Sequence, residues 1–99
     1  MFFVYIIYSE SFNKYYIGHT DDPDRRILEH NDPKYHKYTS KYLPWTLKAK
    51  ILIGENRGDA LKVETYLKSL KSRRMIEQII NRQADTDYIK YLIEKALAG

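Results

Sequence analysis

Phe3-Val4-Tyr5-Ile6-Ile7-Tyr8, Lys14-Tyr15-Tyr16-Ile17-Gly18-His19 and Pro23-Asp24-Arg25-Arg26-Ile27-Leu28-Glu29-His30-Asn31 are the stretches that decide the fold of this chain. The first two are short runs of β-branched and aromatic residues, which favour β-strands over residues 2–8 and 14–18. A polar connection of about five residues between such runs predicts an antiparallel hairpin. Gly18 closes the second run, where a positive φ or the close approach of another group would require the absence of a Cβ.

The third stretch predicts a short helix. Asp22 can accept hydrogen bonds from the first turn, Pro23 suits the first helical position, and the helix must end before Pro33. Residues four apart share one face of a helix, so Arg26 and His30 are expected side by side. Ile27 and Leu28 are expected to face the sheet.

The remainder of the chain predicts one more strand and three helices. Residues 32–44 have no clean period and contain two prolines, which indicates a long basic loop, whereas residues 45–54 alternate as a strand with one apolar face. Each later helix has a candidate N-cap. The predicted helices are 60–71 after Asp59, 73–82 after Ser72, and a last one after Asp85.

These elements predict an α+β fold, in which a small, mainly antiparallel three-stranded sheet is flanked by helices and followed by a C-terminal helix. At 99 residues the chain is expected to form one unit around a single core. Residues 2–8 are too few to span a membrane and lack a signal-peptide pattern. Cysteine is absent, so disulfides and thiolate metal sites are excluded, and we expect a cytoplasmic protein.

The formal net charge of +4 is concentrated in two blocks. Residues 34–50 contain five lysines and no acid, interleaved with aromatic residues, and residues 62–82 contain six Lys/Arg against two acids. Cations among aromatic rings suit a phosphate backbone with bases available for stacking, although a solvated lysine face is the plainer alternative. The candidate nucleic-acid-binding residues are Lys34, Lys37, Tyr38, Lys41, Trp45, Lys68 and Lys71.

The order of these motifs resembles that of the GIY-YIG nuclease family, and in particular its small stand-alone bacterial members. Val4-Tyr5 stands at the first motif, Tyr16-Ile17-Gly18 matches the second, Arg26 follows at the matching distance, and Glu64 falls in the later helix. The Glu-His-Asn and Lys-Tyr-Thr segments also match. The resemblance covers roughly residues 2–82, which we take as the nuclease-like part, with residues 83–99 as a helix packed on it.

The resemblance implies a role for each matching residue in hydrolysis of a phosphodiester bond. Tyr16 would act as general base or proton relay toward the attacking water, with Tyr5 and His19 positioning that water. A phenol needs a neighbouring cation or imidazole for this work near neutral pH, and His19 is the expected helper. Arg26 would stabilise charge on the phosphate, and His30 would contact the phosphate or the leaving group.

The resemblance also implies that Glu64 holds one divalent ion, Mg²⁺ or Mn²⁺, either of which suits oxygen ligands. DNA is the implied substrate, with RNA as an alternative. Two departures from the family pattern stand out: Phe3 replaces a glycine of the first motif, and Asn81 lies further along than the asparagine that many relatives carry.

Three functions remain open at this stage. The first is a metal-dependent endonuclease acting on DNA, structure-selective or weakly specific, as in repair or recombination. The second is a nucleic-acid-binding module that keeps the scaffold without turnover. The third is a protein-interaction domain that docks through the C-terminal helix. A monomer is expected, with a dimer as the alternative.

Overall fold

The computed structural model describes residues 1–35 and 38–99. A short 3₁₀ turn at Thr39–Tyr42 interrupts the loop that was predicted to be irregular. The regular elements are β1 (Phe2–Ser9), β2 (Lys14–Thr20), α1 (Pro23–His30), β3 (Thr46–Gly54), α2 (Arg57–Ser69), α3 (Arg73–Asn81) and α4 (Thr86–Ala98).

The three strands form one antiparallel sheet in the order β2-β1-β3, so the N-terminal strand is central and β2 lies at an edge. In the β1–β2 hairpin, Tyr5 stands opposite Gly18 and Ile7 stands opposite Tyr16. The predicted α+β fold with a C-terminal helix is thereby confirmed. The register matters for the site, because it sets two tyrosines of neighbouring strands on one face of the sheet.

Side-chain caps begin the helices. Asp22, Ser72 and Asp85 each accept a hydrogen bond from the backbone N–H three residues on, as the sequence predicted. The start predicted for α2 was wrong. Asn56, not Asp59, is its N-cap, and its side chain accepts from the N–H of Asp59, so the helix begins three residues earlier than expected.

The two faces of the sheet are covered differently. One face packs on α2, α3 and α4 through an apolar cluster. The other faces α1 and the 3₁₀ turn through an aromatic cluster that is smaller and contains polar atoms. The buried members of the apolar cluster are Val4, Ile6, Ile17, Ala49, Ile51, Val63, Leu67, Ile79, Leu92 and Ala96, and those of the aromatic cluster are Tyr5, Ile7 and Trp45.

Two positions differ from the sequence prediction. Trp45 precedes β3 instead of beginning it, and Asn31 fixes its backbone by accepting from its N–H (2.6 Å) and donating to its carbonyl (3.0 Å). Leu28 does not face the sheet; it is 72% exposed, while Ile27 packs on the aromatic cluster. Adjacent residues point in different directions around a helix axis, so α1 buries Ile27 and leaves Leu28 in solvent.

Helix α4 contributes Leu92 and Ala96 to the apolar cluster, and most of its other apolar residues pack against that cluster. Its apolar face is therefore used within the molecule, which removes the main basis for a docking function of this helix. The division of the chain at residue 82 stays a prediction. In the part of the chain that the structure describes, no helix combines the length and apolar character needed to cross a bilayer.

Candidate active site

Tyr5 lies at the centre of the aromatic cluster with 3% of its surface exposed. A Cβ on the opposing Gly18 would lie 2.6 Å from Cζ of the Tyr5 ring and closer still to its hydroxyl. Gly18 is thus required by close approach rather than by a positive φ, which resolves the two possibilities that the sequence left open. Burial, and secondarily the neighbouring Tyr16, raise the pKa of Tyr5 far above the ordinary value for a phenol, and only Arg26 acts noticeably in the other direction.

A buried hydrogen-bonded chain starts at the Tyr5 hydroxyl, which lies 2.6 Å from Nε2 of His30. The other ring nitrogen of His30, Nδ1, lies 3.1 Å from Oγ1 of Thr39, so both ring nitrogens have a hydrogen-bond partner. His30 is only 1% exposed. The predicted contact of His30 with the phosphate or leaving group is therefore corrected: the buried His30 ring hydrogen-bonds to the Tyr5 hydroxyl.

Tyr16 stands two residues from Gly18 on the same face of β2 and is partly exposed. Its ring lies 5.1 Å from the His30 ring and 6.2 Å from the Tyr38 ring, measured between centroids. Lys68 of α2 places its Nζ 5.5 Å from the centre of the Tyr16 ring. The cation next to Tyr16 is therefore Lys68, where the sequence analysis expected His19 as the helper.

His19 points to the opposite face of β2 and binds the residue predicted as the metal ligand. Its Nδ1 lies 2.7 Å from Oε1 of Glu64, and Nζ of Lys68 lies 2.7 Å from Oε2 of the same carboxylate. The Glu64 side chain is 12% exposed, so its charge is largely removed from water and is stabilised by these two partners. Glu64 and Lys68 are four residues apart on α2 and pair on one face of that helix.

The candidate site therefore straddles the edge strand. Alternation along β2 places Tyr16 on the aromatic side and His19 on the side of α2. Lys68 joins the two sides, because it contacts both Glu64 and the Tyr16 ring. Because β2 has no neighbouring strand on its outer side, the Lys68 side chain can pass that edge and contact residues on both faces of the sheet. An interior strand such as β1 leaves no such space.

Arg26 projects from α1 near the Tyr5 hydroxyl, whose pKa it lowers. Its Nη1 lies 3.6 Å from Glu29, a loose ion pair, while its buried Nε has no hydrogen-bond partner. Buried donors are normally satisfied, and an unpaired N–H of a guanidinium is a ready site for an anion. Asp22, four residues before Arg26, is the N-cap of α1 and accepts a hydrogen bond from the backbone N–H of Arg25.

The residues around Glu64 supply few ligands for a hard divalent ion. Among residues 1–35 and 38–99 no group of three or more His, Asp or Glu side chains could hold a metal. Mg²⁺ often binds through one or two carboxylates and keeps several waters, so a single glutamate is sufficient in kind. Lys68 is half-exposed and sits on Oε2, so this is the oxygen that an ion would take by displacing a flexible side chain.

The structure brings together some of the predicted nucleic-acid-binding residues and not others. Tyr38, Lys68 and Lys71 line one cavity together with Tyr16. Lys34 and Lys41 are exposed but do not line that cavity, and Lys37 lies outside the described residues. Trp45 is corrected: it is 3% exposed, and its Nε1 donates to the Thr39 carbonyl at 2.8 Å, so neither face can stack on a base.

Thr39 and Asn31 support the site but had no role in the sequence analysis. Thr39 is buried and receives both the His30 ring and the Trp45 indole, while Asn31 clamps the Trp45 backbone. Both residues belong to segments that matched the family, Glu-His-Asn and Lys-Tyr-Thr. That match was the available signal, although nothing local to those segments indicates what they contact.

The chain is similar to known proteins over most of its length. Residues 1–78 match the model of the GIY-YIG catalytic domain. A UPF0213 protein of Lactococcus lactis subsp. cremoris is 32% identical over 81% of this chain and 82% of its own length. UPF0213 proteins of Lactococcus lactis subsp. lactis (33% identical; 92% and 86% covered) and Streptococcus pneumoniae serotype 4 (32%; 81% and 79%) are similar over comparable lengths. No solved structure matches significantly.

Proposed function

Because the chain belongs to the GIY-YIG family of nuclease domains, we propose that it is a metal-dependent endonuclease that hydrolyses phosphodiester bonds in DNA. The observation that carries the proposal is the convergence on Lys68, which contacts the Tyr16 ring and the Glu64 carboxylate at the exposed edge of β2. A general-base candidate, a hard oxygen ligand and a cation are thus within one side chain's reach of each other. Arg26, with an unpaired Nε, adds a donor for the phosphate.

In the proposed reaction a water oxygen attacks phosphorus in line and the bond to the 3′ oxygen breaks. Tyr16 acts in this step as its phenolate, whose negative charge the Lys68 ammonium stabilises, and it accepts the proton that the attacking water loses. The 3′ oxygen leaves as an alkoxide and takes a proton from solvent. Tyr5 is held in place by its hydrogen bond to His30, so its hydroxyl helps to position the attacking water. Arg26 stabilises charge on the non-bridging oxygens through its guanidinium.

Glu64 would hold the divalent ion, Mg²⁺ or Mn²⁺, through Oε2, while His19 keeps the carboxylate in place through Oε1. When bound, such an ion supplies Lewis-acid stabilisation of the phosphate and leaving oxygen. His19 is in this view a positioning residue rather than a catalytic one. Arg26, Tyr16 and Glu64 are the side chains without which no turnover is expected.

The test is cleavage of plasmid DNA and of branched, flapped and nicked oligonucleotides with Mg²⁺ or Mn²⁺, by wild type, Tyr16→Phe and Glu64→Ala. We expect both variants to lose cleavage by about 10² or more, the usual cost of removing one essential group. Tyr91→Phe, which alters an exposed tyrosine on α4, is the matched control and should cleave as wild type does. Inactive wild-type protein, or cleavage that survives both Tyr16→Phe and Glu64→Ala, would refute the proposal.

A second candidate function is a nucleic-acid-binding module without turnover. The observation that favours it is that both oxygens of Glu64 are already occupied, by His19 and Lys68. It predicts salt-dependent binding that neither divalent ions nor Tyr16→Phe changes. If added Mg²⁺ or Mn²⁺ alters binding to uncleaved DNA, and Glu64→Ala abolishes that response, this candidate is excluded.

We further propose that the protein works in the cytoplasm as a monomer, possessing in residues 1–82 the whole catalytic part. The side chains assigned above all lie within residues 1–82. Sedimentation across a range of protein concentrations measures this directly: activity that appears only at concentrations where a dimer forms would contradict it.

A further inference from the structure

Four aromatic rings lead outward from the candidate active site. Tyr16 lies 6.2 Å from Tyr38, Tyr38 lies 5.3 Å from Tyr42, and Tyr42 lies 5.4 Å from Phe12, all measured between ring centroids. We call these four residues the aromatic path. It joins the hairpin turn after β1 to the 3₁₀ turn, two segments that are far apart in the sequence, and its inner end is the proposed general base.

The outer rings are exposed in a way that packing does not require. Phe12 is 51% and Tyr38 is 52% exposed, whereas Tyr42 packs against the aromatic cluster. Adjacent rings are tilted by 37° to 80°, so the path is a stepped surface rather than one flat stack. A contiguous run of exposed and partly buried rings beside a polar site is typical of a binding surface.

Cations accompany the path along its whole length. Lys14 places its Nζ 4.7 Å from the Tyr42 ring centre, and Lys68 does the same at 5.5 Å for Tyr16. The cavity of about 380 Å³ that borders Tyr16 and Tyr38 is also lined by Lys71 and Arg73, and none of its described lining residues is acidic. Rings that offer stacking faces, with ammonium and guanidinium groups between them, match bases joined by a phosphate backbone.

We infer that the aromatic path binds unpaired nucleotides of the strand whose phosphodiester bond enters the candidate active site. A base inside a duplex already has both faces stacked on neighbouring bases, so only an unpaired strand can present base faces to Phe12 and Tyr38. This inference rests on the proposed nuclease function and adds to it a substrate class: nucleic acid with a single-stranded segment next to the cleaved bond. Phe12, Tyr42, Lys14 and Arg73 thereby acquire a role that the sequence motifs do not assign.

The test measures binding of three fluorescein-labelled ligands by fluorescence anisotropy: a dT 12-mer, a U 12-mer and a blunt DNA hairpin. EDTA is present so that no cleavage occurs. We expect wild type to prefer the 12-mers to the hairpin. Phe12→Ala and Tyr38→Ala should each weaken 12-mer binding by about fivefold or more, the low end of the effect of removing one base–aromatic stack, with hairpin binding changed less than twofold. The dT and U arms distinguish DNA from RNA as the source of the unpaired strand.

Tyr91→Ala is the matched control, because Tyr91 is 56% exposed and also carries a lysine, Lys95, near its ring. It should leave all three affinities unchanged. Equal loss of 12-mer and hairpin binding, no loss in either path variant, or preference of wild type for the hairpin would each overturn the inference. The last result is compatible with cleavage of duplex DNA, so failure of the aromatic path and failure of the nuclease proposal can be told apart; thermal melting of each variant verifies that it is folded.

Discussion

The two faces of the sheet differ in what they bury. The buried side chains of the face toward α2, α3 and α4 are aliphatic, and Tyr15, Tyr66 and Tyr88 pack against them. The face toward α1 buries a phenol, an imidazole and a threonine hydroxyl, each with a hydrogen-bond partner. Apolar burial supplies stability without directional demands, whereas a buried polar group must keep its partner in place or become destabilising. The first face holds the fold together, and the second holds side chains in positions suited to chemistry.

The largest expected effect separates the site from its immediate surroundings. Arg26→Ala should lower cleavage by about 10² to 10³, the range for removing one preorganised charge-stabilising donor. Arg25→Ala is the matched control on the same helix, because Arg25 pairs at the surface with Asp21 and Glu29. Single-turnover cleavage with Mn²⁺ measures both variants. Equal losses would mean that α1 contributes general positive charge and not a positioned guanidinium.

The buried phenol of Tyr5 predicts a dependence of stability on pH. The pKa of Tyr5 is raised in the folded state, so its contribution to stability is complete below the ordinary value of 10.0 and is lost as pH rises above it. In that range the unfolded chain releases a proton that the folded chain retains, which lowers the free energy of unfolding by about 1.4 kcal/mol per pH unit.

Tyr5→Phe should remove this component of the decline. Urea unfolding between pH 9 and 11 measures the slope for wild type and for Tyr5→Phe, with the exposed Tyr91→Phe as control. Tyr91→Phe should retain the wild-type slope. If the slope for Tyr5→Phe equals that of wild type, then Tyr5 titrates in the folded state as freely as in the unfolded chain.

How far the sequence determines this structure depends on how local each signal is. The caps Asp22, Ser72 and Asp85 were predictable because a cap acts on N–H groups three residues away. The start of α2 was not, because Asn56 and Asp59 are both good caps within one turn, and the choice depends on where the chain leaves β3. The prediction that Leu28 faces the sheet was wrong for a related reason: one turn of helix contains several apolar residues, and packing against the sheet determines which of them is buried.

The sequence names a set of candidate site residues, which stays a prediction, and it does not indicate how they are arranged. The motif order identified Tyr16, Arg26 and Glu64, yet the partner of Tyr16 is Lys68 and the partner of His19 is Glu64. Which of two neighbouring cations reaches a ring depends on strand alternation and on the edge position of β2, neither of which is a local property. Trp45 shows the same limit. A tryptophan among basic residues suggests stacking on a base, but the structure shows its indole donating to the Thr39 carbonyl.

Adjacent residues of β1 offer a direct comparison of the two faces. Ile6 lies in the apolar cluster and Ile7 in the aromatic cluster, and neither is exposed. Ile6→Val and Ile7→Val should each lower the free energy of unfolding by about 0.5–1.5 kcal/mol. Only Ile7→Val should also slow cleavage, by a few-fold, since the lost methyl lets Tyr5 and its neighbours shift. Urea unfolding and single-turnover cleavage measure the pair; equal kinetic losses would show that both faces position the site.

The smallest effect concerns charge at the rim of the site. Lys71 lines the cavity beside Tyr16 at the α2–α3 turn, whereas Lys90 is exposed on α4 and lines a different cavity. A phosphate contact releases about one counterion, so Lys71→Ala should reduce the slope of log binding constant against log salt by about one, whatever the DNA sequence. Lys90→Ala should leave the slope unchanged if the aromatic face alone meets the nucleic acid. Titrations between 50 and 200 mM NaCl measure both slopes. An equal change for Lys90→Ala would mean that the charges on both faces act together as a diffuse field. The functional difference between the two faces would then hold for their uncharged side chains only.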